Sequence, residues 1–281
     1  MRHVKIWASL AIVALGLSAC MGNDNAVDKQ LEAVNSINGA ELDDVMLTVA
    51  DPNEAAVYFK RTSLENPESI AAKRGLGLSL TRAKRAREAS TVWADVITHP
   101  EATNEDSVNY ANALIRSGNW DKAEDVLNAI PPTHETYDRY RLEAIVADSQ
   151  KNWKRADSFY EIATGLTTTP ANVLNNWGYS KLTRGSHKDA ERLFVESLKH
   201  DQSNFTVKNN LILARAAQGI YTLPAINMTQ TERAELLHTM GLSAVKRGDV
   251  STAKSIFREA VETHPQYFEA AVRSLDALEN S

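Results

Sequence analysis

The chain has 281 residues, 43% of them hydrophobic and 24% charged, so it can bury a substantial core as one large or two ordinary domains. Glycine (12) and proline (8) are scarce while alanine, leucine and glutamate are frequent, which favours helices over a turn-rich β fold. The formal charge of −5 is spread without blocks and leaves no basic stripe, which excludes the footprint expected of a nucleic-acid partner.

The first element in chain order is a leader. Arg2, His3 and Lys5 form a basic head, and Ile6 to Leu17 is an apolar run too short to serve comfortably as a permanent span. Leu17-Ser18-Ala19-Cys20 then resembles the bacterial lipobox, in which a diacylglyceryl group joins the cysteine sulfur before cleavage in front of it. Residues 1–19 are therefore expected to be a lipoprotein signal peptide, with Cys20 the lipidated first residue of the mature chain. Cys20 is the only cysteine, so no intramolecular disulfide can form and the fold must rest on packing alone. Three acyl chains, at roughly 0.8 kcal/mol per buried methylene, make a lasting anchor. Met21 stands where an aspartate would signal inner-membrane retention, so the expected location is the periplasmic face of the outer membrane. The polar stretch up to residue 38 reads as a tether, completing a segment at 20–38.

From residue 39 onward the chain repeats. Windows of 34 residues align a small residue at position 8, a small one at 20, a large apolar one at 24 and often a proline near 32, the signature of the tetratricopeptide repeat. Ala234 to Tyr267 is the clearest window, with Gly241, Gly248, Ala253, Phe257 and Pro265 in their columns, and Ala171 to Asn204 follows with Gly178, Gly185, Ala190 and Phe194. The same register gives units at Ile70 to Thr103, Asn104 to Tyr137 and Tyr137 to Pro170, and a degenerate first unit at Ser36 to Ser69. Small residues at 8 and 20 let the two helices of a unit approach to roughly 8 to 10 Å. Glycine near 15 supplies the left-handed turn between them, and proline at 32 ends the second helix. The expected fold is all-α, a right-handed superhelical solenoid of tetratricopeptide (TPR) repeats with about six units over 39–281.

One unit is broken. Val207 to Gly219 reads as a first helix, but Ile220 to Met228 lacks helical periodicity and carries Pro224. Helix resumes at Thr229, which forms a capping-box pattern with Glu232. Ile220, Leu223, Ile226 and Met228 are expected to pack the irregular segment 220–228 across the groove that a second helix would fill. Residues 268–278 read as a helix that caps the last unit.

The run Asn175-Asn-Trp-Gly-Tyr-Ser-Lys, the run Lys208-Asn-Asn-Leu-Ile-Leu-Ala-Arg, the Tyr221-Thr-Leu-Pro interruption and the closing Glu232-Arg-Ala-Glu-Leu-Leu resemble the TadD-type lipoproteins of the tight-adherence (Flp) pilus system. The resemblance covers the lipobox and most of the array. It implies a pilotin-like factor that works beside the secretin through which the pilus leaves.

Catalytic strings such as His-Glu-x-x-His, Gly-x-Ser-x-Gly or a Walker motif do not occur, so no enzymatic activity, small-molecule substrate, metal or cofactor is expected beyond the covalent lipid on Cys20. His99, His200 and His264 recur near the ends of second helices, too far apart to share an ion. Asn109, Asn176 and Asn210 all fall at position 6 of first helices, on or beside the concave surface. Such a column either grips the backbone of an extended partner segment or bonds within its own array. Trp93, Trp120, Trp153 and Trp177 read as core. Two protein-binding roles stay open: assembly of a pilus or secretion secretin, and a general envelope adaptor in outer-membrane or cell-wall biogenesis.

Overall fold

The computed structural model describes residues 39–280, so the leader, Cys20 and the tether lie outside the described residues. Among the described residues there are 14 helices and no strand. Helix α1 (Gly39–Thr48) belongs to a separate unit that ends at Asp51. Within it the Thr48 hydroxyl donates to the Asp44 carbonyl at 2.7 Å, and Leu42, Val45 and Val49 are exposed. The expected first unit, Ser36 to Ser69, is thus divided at Asp51.

The unit from Pro52 onward begins with a single helix, α2 (Pro52–Glu65), followed by four pairs: α3 (Ile70–Arg82) with α4 (Ala86–Val96), α5 (Asn104–Arg116) with α6 (Trp120–Ala129), α7 (Tyr137–Ser149) with α8 (Trp153–Gly165), and α9 (Ala171–Thr183) with α10 (His187–His200). After them come α11 (Phe205–Ala217), the pair α12 (Gln230–Arg247) with α13 (Val250–Thr263), and α14 (Glu269–Glu279). Four of the repeat windows open on the first residue of a helix, because a hydroxyl or loop residue immediately before each one ends the preceding turn. Ser69 and Thr136 each accept a bond from the backbone N–H three residues on, while Thr103 and Asp106 close a reciprocal capping box. The last pair differs: α12 starts four residues before its window, at the capping box of Thr229 with Glu232.

The turn between paired helices needs one left-handed residue, and the column at position 15 supplies it. Gly118, Gly185 and Gly248 sit at φ of +82, +84 and +86°. Lys84 and Lys151 hold the same conformation at +60 and +58° despite the steric cost a side chain brings there.

Inside three of the five pairs the spacing of the axes is set by one close approach. A Cβ added to Gly178 would lie 2.6 Å from Phe194, one on Gly77 2.6 Å from Trp93, and one on Gly241 2.4 Å from Phe257. Position 8 therefore presents bare backbone to the ring at position 24. Beside it Ala89, Ala123, Ala156, Ala190 and Ala253 of position 20 are fully buried. Where position 8 is Ala111, position 24 is the smaller Leu127. In the broken unit position 8 is Ile212, fully buried, because no second helix lies opposite it.

The segment that replaces that helix runs from Gln218 to Thr229 with alternating exposure. Ile226 packs on the cluster of Ala190, Phe194, Leu198 and Leu211, while Tyr221, Leu223 and Met228 join the cluster containing Ile212, Leu236 and Met240. Polar ties fix its two ends: Asn227 donates to Gln202 at 2.8 Å, and Tyr221 bonds Asp249. The irregular segment is thus a strap between two apolar clusters. At the end of the chain α14 covers α13 with Ala271, Leu275 and Leu278.

First helices of neighbouring pairs touch along the row α3, α5, α7, α9 and α11, whereas among the described residues second helices of neighbouring pairs do not. The first helices therefore line the inner side of the stack. Gly178→Ala should destabilise the protein by about 1–3 kcal/mol in denaturant unfolding, through overpacking against Phe194, and adding Phe194→Leu should recover part of the loss. Replacing Leu223 and Ile226 together by Ser should lower the unfolding temperature by several degrees, roughly 1–2 kcal/mol for each half-buried side chain. An unchanged transition would mean that the strap contributes nothing to the fold.

Candidate binding groove

The inner face combines amides with apolar side chains. Position 9 of successive first helices carries Leu78, Ile145, Tyr179, Leu213 and Leu242, interrupted by Asn112. Tyr179 and Leu242 are exposed. Positions 5 and 6 add Asn109, Asn175, Asn176, Asn209 and Asn210.

Along this face a cleft of about 400 Å3 opens where three successive pairs meet, lined by Trp120, Ile145, Asp148, Ser149, Trp153, Tyr160, Asn176, Tyr179, Ser180 and Thr183. Trp120 reaches it from α6, Asp148 from α7, Trp153 from α8, and Asn176 with Tyr179 from α9. Trp120 keeps 37% and Tyr179 54% of its surface open to solvent. The tryptophans thus divide. Trp93 is core, and half-buried Trp177 donates its indole N–H to Asp157 at 2.6 Å. Trp120 and Trp153, expected in the core, instead wall the cleft, because the start of a second helix faces the next first helix.

Asp148 lies at the floor. Its two oxygens accept from the Ser180 hydroxyl at 2.7 Å and from the Tyr160 hydroxyl at 2.8 Å. Burial raises its carboxyl above the ordinary aspartate range, and the two hydroxyl bonds offset only part of that. Burial and the neighbouring Asp148 in turn raise the Tyr160 phenol well above the usual tyrosine range. Asp157, one turn into α8, shows the opposite balance. Burial pushes it up, but bonds from Lys181 at 2.9 Å, from Trp177 and from Arg184 bring it below the usual range.

Of the three asparagines in the expected column, Asn176 reaches the cleft and Asn109 is half-buried on α5. Asn210 is buried and donates to the Asn175 carbonyl oxygen at 3.0 Å, a bond between α11 and α9. Asn209 similarly accepts from Thr239 on α12 at 2.8 Å. The amides of the inner face thus include cross-helix ties as well as groups open to a ligand. The histidines near helix ends act locally: the ring Nδ1 atoms of His99 and His264 each lie 3.1 Å from the backbone N–H two residues on and accept from it. Among the described residues no three His, Cys, Asp or Glu side chains are grouped to hold a metal.

No family model matches the sequence, and no curated protein matches it. Solved structures do. A chain of the APC/C hetero-tetramer Cut9-Hcn1 aligns with a TM-score of 0.58 and 14% identity over 90% of this chain, which spans about half, 51%, of that one. A tetratricopeptide repeat protein from Parabacteroides merdae aligns with a TM-score of 0.53 and 15% identity over 92% of this chain and 98% of its own. The fold is a tetratricopeptide-repeat solenoid. Another structure with this fold, PilF of Pseudomonas aeruginosa, has a TM-score of 0.50 and 14% identity over 82% of this chain and 99% of its own. The tetratricopeptide solenoid is a fold typical of protein-interaction scaffolds, whose stacked repeats leave an extended concave surface.

Because ionised Asp148 titrates higher in the fold than in the unfolded chain, its charge opposes folding. Its cost is absent below the ordinary aspartate range and grows as pH rises through the shifted one. Asp148→Asn should therefore unfold at an equal or higher temperature at neutral pH, by up to about 3 °C. Thermal scans from pH 3 to 8 should show that advantage vanishing at the acid end.

Proposed function

We propose that this protein is a lipid-anchored scaffold on the periplasmic face of the outer membrane, and that it assists assembly or localisation of a pilus or secretion secretin by holding an extended segment of it along the inner face. The observation that carries the binding mode is the cleft between α7 and α9, where aromatic faces and the Asn176 amide meet at one opening. A peptide laid there bonds through its backbone, each bond contributing about 0.5–1.5 kcal/mol net, so several together give useful affinity. A chain of similar fold within a hetero-tetramer, as in Cut9-Hcn1, supports protein binding as the work of such a stack. The lipid anchor rests on Leu17-Ser18-Ala19-Cys20, and the secretin rests on the resemblance of the 175–181, 208–215, 221–224 and 232–237 runs to TadD-type lipoproteins.

Cys20→Ser should move the protein from the membrane to the soluble fraction and abolish palmitate labelling. In the same cells, heat-resistant secretin multimer should fall without the protein and be restored by the wild type. Asn109→Ala with Asn176→Ala should restore it only partly, with helicity unchanged. Asn210 is left in place because it ties α11 to α9. Normal multimer and normal pili in cells lacking the protein would remove the secretin and favour the general envelope adaptor.

A further inference from the structure

We propose that the cleft between α7 and α9 is a specificity pocket for a basic side chain, a lysine or arginine carried by the extended partner segment. This inference rests on the groove reading above and adds the chemistry of the residue that the groove selects.

The first argument is an unbalanced carboxylate. Several half-buried or buried acids elsewhere in the array meet a cation: Asp106 takes Arg74 at 2.7 Å, Asp157 takes Lys181 at 2.9 Å, Glu191 takes Arg215 at 2.6 Å and Glu232 takes Lys208 at 2.9 Å. Asp148 receives only the two neutral hydroxyls of Ser180 and Tyr160. The cations around it are engaged with other acids. Arg184 acts on Asp148 through space but bonds Asp157, and Arg141, which acts on the neighbouring Tyr160, bonds Asp138 at 2.9 Å. A carboxylate taken partly out of water without a counter-charge keeps its charge at a cost that an arriving cation relieves.

The second argument is the wall. Trp120 and Tyr179, both partly open to solvent, line the same cleft, and a ring face attracts a cation that lies over it. This array already uses that contact within itself: Lys181 lies 5.8 Å from the Trp177 ring centre and Arg184 5.5 Å from that of Trp153. A volume of about 400 Å3 admits a long aliphatic stem with a charged head. Its methylenes would lie along Ile145 and the rings, its head would reach Asp148, and Asn176 would be left at the rim for the backbone of the segment.

The test uses the purified full chain in detergent and labelled nonapeptides Gly-Ser-Thr-Val-X-Val-Thr-Ser-Gly, with X lysine, arginine, norleucine or glutamate. The lysine and arginine peptides should bind about ten-fold more tightly than the norleucine peptide, with the glutamate peptide weakest. Asp148→Asn should erase the difference between lysine and norleucine. Tyr179→Ser, at an exposed position, should weaken the lysine peptide about five-fold while helicity and melting stay unchanged. Equal binding of lysine and norleucine by the wild type overturns the basic pocket and leaves a peptide groove standing. Discrimination that survives Asp148→Asn overturns the assigned residue and with it the proposal. Absence of binding by all four peptides also overturns it, while the multimer assay decides the groove reading separately.

Discussion

The helix pairs depend on a steric match at one crossing, where in three of the five a ring on the second helix rests against bare backbone on the first. Gly77 under Trp93, Gly178 under Phe194 and Gly241 under Phe257 leave no room for a methyl group, and the rings are buried in return. Burying such a side chain is worth about 1.5–3 kcal/mol, which outweighs the roughly 1 kcal/mol that a glycine costs inside a helix. The partners vary together. Ala111 goes with Leu127, and Ala144 goes with Tyr160, whose hydroxyl leaves the crossing to bond Asp148. Through that bond the crossing that builds the fold also fixes the floor of the candidate pocket.

Neighbouring pairs are then placed by charges that reach across them. Arg74 forks onto Asp106, 32 residues away, through its Nε and Nη2 atoms at 2.8 and 2.7 Å, and the same carboxylate closes the capping box of α5. Arg155 meets Glu124, and Lys181 meets Asp157, over comparable separations. Such pairs on a partly solvated surface contribute about 0–1 kcal/mol each, so their weight lies in fixing the order and register of the pairs. Against that background Asp148 accepts its hydrogen bonds from the hydroxyls of Ser180 and Tyr160, with Arg184 acting on it only through space.

Most of the fold could be read in the sequence because the columns record contacts inside one unit. The windows beginning at Ile70, Asn104, Tyr137 and Ala171 open on the first residue of a helix, and Pro224 marks the break where helix gives way to strap. The site was less legible, since it depends on contacts between units that no single window contains. Asp148 falls at a position with no column. Trp120 and Trp153 have the bulk of core residues yet face the next pair, and Asn210 shares a column with Asn176 but bonds Asn175. One signal could have found the groove: the apolar run at position 9, Leu78, Ile145, Tyr179, Leu213 and Leu242, on helices whose contact with the second helix is already made at position 8.

The strap has a consequence for how the solenoid comes apart. A stack of repeats holds together through nearest neighbours, and each helical pair secures its backbone amides internally. Between Tyr221 and Met228 only the N–H of Ile226 donates to another backbone carbonyl. Amide protons of that stretch are therefore open to exchange with water while the helices on both sides stay protected. The strap lies inside one compact unit, between α11 and α12, which touch each other directly. Local opening should begin there before α11 or α12 frays, so between those two helices a protease meets its first accessible peptide bonds at the strap.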